Sequence, residues 1–327
     1  MRVNVGGFKI NNANFNWKAI VNQLGALLGL LLLMIGLTIA TPYFLTMRNL
    51  MIIIQQSAII VLVASGMLLA ILSAGIDLSV GATLALAICL IGIFIKSFGI
   101  NPIIAVLLGI IIGTFLGMLN GLMLTRLHLP HPFIATLGTM SIYRGLALIF
   151  TGASPISGFP QWIQFLGAGY IGPIPFSMIL IIFTVVIFHF FLTRTALGRH
   201  IYAVGGNLEA ARLSGINTDK VLIWIYAISG LMATLGGLVL MGRVNAVYPL
   251  AGLQYEMDAI SAVIIGGASF MGGVGTIWGT LIGAFIITII RNGLNILGIA
   301  SDMQTVIIGL VIVFAVYIDV LRRRKQQ

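Results

Sequence analysis

Long apolar runs separated by short polar interruptions recur along the whole chain. Most are close to the length a helix needs, since about 20 helical residues cover a hydrocarbon core of about 30 Å. The pattern predicts ten such helices, over residues 24–45, 50–72, 80–98, 103–124, 132–150, 174–192, 221–241, 258–270, 276–290 and 303–318. The fifth, eighth and ninth are short or polar. Irregular backbone at membrane depth is tolerated only where protein or a water-filled cavity covers it. The expected fold is an all-α polytopic bundle of about ten spans, with eight full spans plus re-entrant helices as the alternative.

Between the sixth and seventh runs lies the longest charged stretch, residues 198–220, GRHIYAVGGNLEAARLSGINTDK. Arg199, Arg212 and Lys220, with Arg194 just before, stand there against Glu209 and Asp219, around a short Ala-containing helical pattern that ends at Gly215. Such a segment reads as a docking helix outside the membrane. The chain therefore divides into an N-terminal segment 1–23, a transmembrane domain 24–320 carrying a coupling loop 194–220, and a basic tail 321–327.

Glycine punctuates the rest. Gly109, Gly113, Gly117 and Gly121 repeat at every fourth position of the fourth run, a spacing that lets helices approach closely and is expected to serve packing within the bundle. Two Gly-rich interruptions, SAGIDLSVG at 73–81 and GGASFMGGVGT at 266–276, break the chain between apolar runs, one in each half. Paired breaks of this kind often flank a transport pathway. Asp77 in the first, and Gly266, Gly267, Gly272 and Gly273 in the second, are the expected hinge or helix-break positions; Asp77 and Ser79 also read as an N-cap.

Composition changes the class, not the elements. With 60% hydrophobic and 7% charged residues and a mean hydropathy of +1.15, the chain is a membrane protein. With the N-terminus inside, twelve basic residues fall in inner loops and four outside (Arg48, Lys96, Arg243 and Arg291), so both termini are expected in the cytoplasm. The net charge of +10 then needs no nucleic acid, and the tail Arg322, Arg323, Arg324 and Lys325 suits anionic lipid. The first run is longer than a signal-peptide core and reads as a retained span.

Catalytic chemistry finds little to work with. The five lysines lack a Gly-rich phosphate loop, so the chain is not expected to hydrolyse ATP. His128, His131, His189 and His200 lack the spacing of a metal site on a helix face, and the single cysteine, Cys89, excludes an internal disulfide. Paired intramembrane carboxylates and a GxSxG elbow are missing, which disfavours a membrane-embedded hydrolase. An ion-coupled carrier would need an intramembrane carboxylate or His relay. Only Asp77 and Asp258 approach that description, both near predicted span ends.

Five segments together are specific: SAGIDLSVGATLAL (73–86), HPFIATLGTMSIYRG (131–145), GASPISGF (152–159), GRHIYAVGGNLEAARLSGIN (198–217) and YEMDAISAVIIGGASFMGGVGTIWGTLIGAFI (255–286). On these the chain resembles, nearly end to end, the permease subunits of bacterial ABC importers for monosaccharides of the ribose, allose, galactose and xylose type. Glu209, Ala210, Ala211 and Gly215 match the EAA-x-x-x-G pattern of permease coupling loops, with Arg212 inside it. The resemblance implies an ABC ATPase partner that holds ATP and Mg, an extracytoplasmic sugar-binding protein, a second permease chain in a homodimer, and residence in the bacterial cytoplasmic membrane.

A neutral, hydroxyl-rich solute calls for donors and acceptors without fixed charge. Gln55, Gln56, Asn120, Thr136, Thr139, Asn292 and Asn295 are the candidates for lining the passage, and each suits interhelical hydrogen bonding equally well. Arg144, a cation within the fifth run, also belongs to this set, with Glu256 or Asp258 as its conjectured partner. Glu256 and Asp258 are further expected on the outer side, where a docking protein's basic surface meets them. By resemblance, the segments RVNAVYPLAGLQYE (243–256) and LHLPHPFIATLGTM (127–140) lean toward ribose- or allose-type members without choosing between them.

Overall fold

The computed structural model describes residues 17–127 and 129–324. Among them, each of the ten predicted apolar runs contributes a helix: α1 (Trp17–Ala40), α2 (Met47–Leu72), α3 (Val80–Lys96), α4 (Pro102–Arg126), α5 (Pro132–Thr151), α7 (Phe176–Arg194), α10 (Thr218–Val244), α11 (Tyr255–Ile265), α12 (Ile277–Ile296) and α13 (Ser301–Arg324). Three short helices lie between them: α6 (Gln161–Ala168), α8 (Ala196–Gly206) and α9 (Leu208–Leu213). The protein is an all-α membrane protein, and α2, α4, α5, α7, α10 and α12 are each long and apolar enough to cross a bilayer.

Helix ends in an apolar chain leave backbone N–H groups that need partners, and side-chain caps provide them. Thr46 accepts from Asn49 N, Asn101 precedes Pro102, His131 precedes Pro132, and Thr276 accepts from Gly279 N. Proline at a first helical position loses no intrahelical bond.

Helices α2 and α10 form the centre, buried along most of their lengths, while α1, α4, α5, α7 and α13 turn large apolar side chains outward. Helices α4 and α10 run antiparallel at close range: Gly113 faces Thr234, Gly117 faces Gly230 and Gly121 faces Ile223. Gly109 faces Ile91 of α3. The glycine stripe thus serves packing within the bundle, because a Cβ at these positions would strike a neighbouring helix.

Several boundaries depart from the pattern. The fifth and ninth runs form full helices of 20 residues each, since their polar side chains bond within the bundle. The eighth is the short one: α11 has 11 residues, about 16 Å at 1.5 Å per residue, and stops where Gly267, Gly272, Gly273 and Gly275 all take positive φ. Helix α1 begins at Trp17 and α13 continues through Arg324, so helix enters both terminal segments that the sequence set apart. Residues 1–16 and 325–327, and His128, lie outside the described residues.

Two non-helical segments enter the bundle. Residues 73–79 leave the end of α2 and reach Ser229, eleven positions along α10 from Thr218, or about 16 Å. From the other end, residues 248–254 descend to α11, and Gly252 and Glu256 meet Gly81 in the first turn of α3. The short helices α3 and α11 therefore start side by side inside the protein. At the end opposite α8 and α9, β1 (Ile156–Ser157) pairs antiparallel with β4 (Ala246–Val247), and β2 (Tyr170–Ile171) with β3 (Ile174–Pro175).

Candidate functional site

Helix α9 is built by its caps. Asn207 accepts from Ala210 N at 2.9 Å, which opens the helix. It closes with Ile216 N donating to Ala211 O at 3.1 Å and Gly215 N to Arg212 O at 3.0 Å, the Schellman pattern. Gly215 has φ +82° with open space around it, so backbone conformation alone requires glycine there. Ala211 packs inward, while Leu208, Glu209, Ala210, Arg212 and Leu213 face out. Leu213 is 87% exposed. Glu209 and Arg212 sit 3.4 Å apart, both exposed, so the pair contributes little to stability and remains free to re-pair.

Helix α8 connects α9 to both Gly-rich interruptions. Gly273 N donates to Leu72 O at 2.9 Å, joining the second interruption to the end of α2. Gly205 lies against the same carbonyl, so that a Cβ there would collide with it. Tyr202 of α8 donates to Gly275 O at 2.8 Å. Burial pushes the Tyr202 phenol above its ordinary range and keeps it a neutral donor. Gly266 in turn packs against Gly279 of α12. The first interruption joins the same junction through Ala74, which meets Gly272.

Deeper in the bundle the predicted passage residues separate into groups. Asp77 Oδ1 accepts from Ser79 N at 3.0 Å and Ser79 Oγ at 2.6 Å, and Oδ2 accepts from Ser229 Oγ at 2.7 Å. Asn120 donates to Ser79 Oγ at 2.8 Å and accepts from Thr139 Oγ1 at 2.7 Å. Thr136 donates to Ile76 O at 3.2 Å. This node ties α3, α4, α5 and α10 together, and its side chains are buried. Asp77 accepts from Ser79 N two residues on, as a capping side chain does, while Ser79 at the helix boundary is already αR and makes no capping bond of its own.

Gln55 donates to Tyr170 OH at 3.1 Å and Gln56 is half-buried. Asn292 is buried and exchanges two hydrogen bonds with Asn49, at 3.0 and 2.8 Å, fastening α12 to α2. Asn295 is exposed and accepts from Gln304 at 2.9 Å.

Arg144 makes its hydrogen bonds to backbone, while Glu256, one of its two conjectured partners, lies near enough to attract it without forming a salt bridge. Its Nη1 donates to the carbonyls of Pro249 and Ala251, each at 2.7 Å, and so clamps the descending segment 248–254. Asp258 pairs with Arg291 of α12 at 2.7 Å. Asp258 is fully buried and Glu256 is 8% exposed, so neither presents a carboxylate on the outer surface, and that expectation is corrected. The descent of residues 248–254 carries α11 inward and takes both acids with it. Among the described residues, Glu256 Oε2, Asp258 Oδ2 and Arg291 Nε find no hydrogen-bond partner.

Sequence reasoning missed Ser229, Asn49 and Gly205. Their partners lie far along the chain, 152 and 243 positions for the first two, and only the motif around Asp77 hinted at a node.

The family model described as branched-chain amino acid transport system / permease component matches residues 49–316. A ribose import permease protein of Bacillus subtilis is 45% identical over 306 residues, 93% of this chain and 94% of the relative. A D-allose transport system permease protein of Escherichia coli is 42% identical, covering 86% of each chain, and a galactose/methyl galactoside import permease protein of the same organism is 36% identical, covering 91% and 94%. No solved structure matches the chain.

Proposed function

The chain belongs to the branched-chain amino acid transport system / permease component family, and on that premise we propose that it is the membrane permease of an ATP-driven importer for a ribose- or allose-type monosaccharide. The observation that carries this reading is the 45% identity to a ribose import permease across 93% of the chain. The 42% identity to the D-allose permease keeps both sugars as substrates to test.

In this reading the protein resides in the bacterial cytoplasmic membrane with α8 and α9 on the inner side, both termini inside, and the ten apolar helices in the bilayer. It works as a homodimer with two ATPase subunits that hold ATP and Mg, and a sugar-binding protein docks outside. Helix α9 enters a groove on the ATPase. Small Ala210 allows close approach, Leu213 fills an apolar pocket, and Glu209 and Arg212 pair at the rim. Nucleotide acts only by binding one arrangement of the complex better than the other. Movement of α9 reaches the bundle through α8, whose Gly205 abuts Leu72 and whose Tyr202 holds Gly275.

The test is uptake of labelled ribose, allose, galactose and xylose into vesicles holding this chain with its ATPase and binding protein, with and without Glu209→Lys. Uptake that needs ATP, favours one sugar and falls in the variant while the complex stays assembled is the expected result. Uptake that persists without the ATPase or follows an ion gradient overturns the reading in favour of a secondary carrier.

A further inference from the structure

Helix α6 and the β2–β3 hairpin form a cap that the function proposed above leaves unused. No Asp, Glu, Lys or Arg occurs between Arg144 and Arg194, so the whole cap is uncharged. A surface bathed in water or built to meet a soluble protein ordinarily carries charge, about a quarter of all residues in soluble domains. Instead the cap exposes Trp162, Phe165, Tyr170, Ile171 and Ile174, each between 37% and 52%.

Its attachment is rigid. A Cβ on Gly167 would collide with the backbone of Val239 and Arg243, and one on Gly242 with Ile163 O, so α6 lies directly on the end of α10. Ile163 and Gly167 make the inner face of α6, while Trp162 and Phe165 look outward. Tyr170 OH accepts from Gln55, which fixes the hairpin to α2.

Depth follows from α10. Exposed Trp224 lies toward its α9 end, and Gly242, beneath α6, comes eighteen residues later, about 27 Å along the axis. That separation is close to the hydrocarbon thickness of about 30 Å, which places the cap one bilayer core away from Trp224. Exposed Trp278, which donates to His189 at 3.2 Å, likewise lies at the start of α12. One exposed cation borders the cap: Lys96 Nζ stands 5.9 Å from the Phe159 ring centroid. Aromatic rings with cations at their edge are the signature of the headgroup layer, where rings meet acyl chains and cations meet phosphates.

We propose that α6 and the β2–β3 hairpin are an anchor embedded in the outer phospholipid headgroup layer, with Trp162 and Tyr170 at the acyl boundary and Lys96 directed to lipid phosphate. The cap fixes the height at which α10 and the descending segment sit in the bilayer, and it leaves the sugar-binding protein to dock elsewhere.

The experiment retains Trp162 alone by combining Trp17→Phe, Trp224→Phe and Trp278→Phe in the full chain, reconstituted in phosphatidylcholine vesicles. Emission is read with lipids brominated near the headgroup end of the acyl chain, with lipids brominated near the methyl end, and with aqueous iodide. The proposal expects the largest loss of emission from the shallow bromines, a smaller one from the deep bromines, little from iodide, and no change on adding the binding protein. Strong iodide quenching without lipid quenching shows a cap in water and overturns the proposal. Protection from every quencher, or lipid quenching abolished by the binding protein, shows a protein partner and also overturns it. If the triple variant fails to accumulate, the difference in shallow-bromine quenching between the native chain and Trp162→Phe decides the same question. None of these readings depends on transport, so failure here is separable from failure of the importer assignment.

Discussion

The node around Asp77 and the surface of α9 are both polar islands in an apolar chain, and they differ in what their polar atoms already possess. At Asp77 both carboxylate oxygens are bonded, Asn120 and Thr139 complete the set, and the side chains are buried. On α9 the Glu209–Arg212 pair is loose and exposed, and Leu213 lies open. The saturated island locks four helices into one arrangement. The open island has little to lose on meeting a partner, which is what the coupling role proposed for it requires.

Asp77→Ala is the sharpest way to break the first island. It strips acceptors from Ser79 and Ser229 inside the protein and is expected to cost about 3 kcal/mol, on the scale of an unpaired buried polar set. The protein should accumulate poorly and unfold at lower temperature in detergent, and a normal melting profile would contradict the structural role. Gly205→Val comes next, because its side chain has nowhere to go beside Leu72 O. Overpacking of this kind costs about 2 kcal/mol and should depress uptake along with thermal stability.

Asn292→Ala removes half of the paired amides on α2 and α12, with an expected loss of about 1 kcal/mol. A double-mutant cycle with Asn49→Ala should show clear coupling, and additive losses would mean that the pair is not formed. Gly215→Ala is the mildest, about 1 kcal/mol of strain at a left-handed position, confined to the end of α9. Its effect should appear in ATP-coupled uptake and leave the melting temperature of the permease nearly unchanged.

Much of this division could be read from the sequence. Ten apolar runs announced the helices, and the charge pattern with Gly215 marked where α9 stops. The descent of residues 248–254 was invisible, because PLAGLQ is locally unremarkable and depends on Arg144, over a hundred positions away, to hold its carbonyls. The cap escaped notice for another reason: α6 has eight residues and β2 and β3 two each, too short for a hydrophobic period to show. Candidate passage residues were identified by polarity alone, and polarity does not distinguish a side chain that bonds a neighbouring helix from one that waits for a solute. Asn120 and Asn292 proved to bond neighbouring helices, as each equally suited reading allowed.

The central claim is that α9 carries the motor's work into the bundle, and sugar-stimulated ATP hydrolysis by the reassembled importer carrying Leu213→Asp tests it most directly. The account predicts that the variant permease reaches the membrane in normal amounts and melts normally, yet neither retains the ATPase nor stimulates hydrolysis when loaded binding protein is added. Full stimulation by the Leu213→Asp complex would contradict it and place the motor's contact on another part of the inner surface.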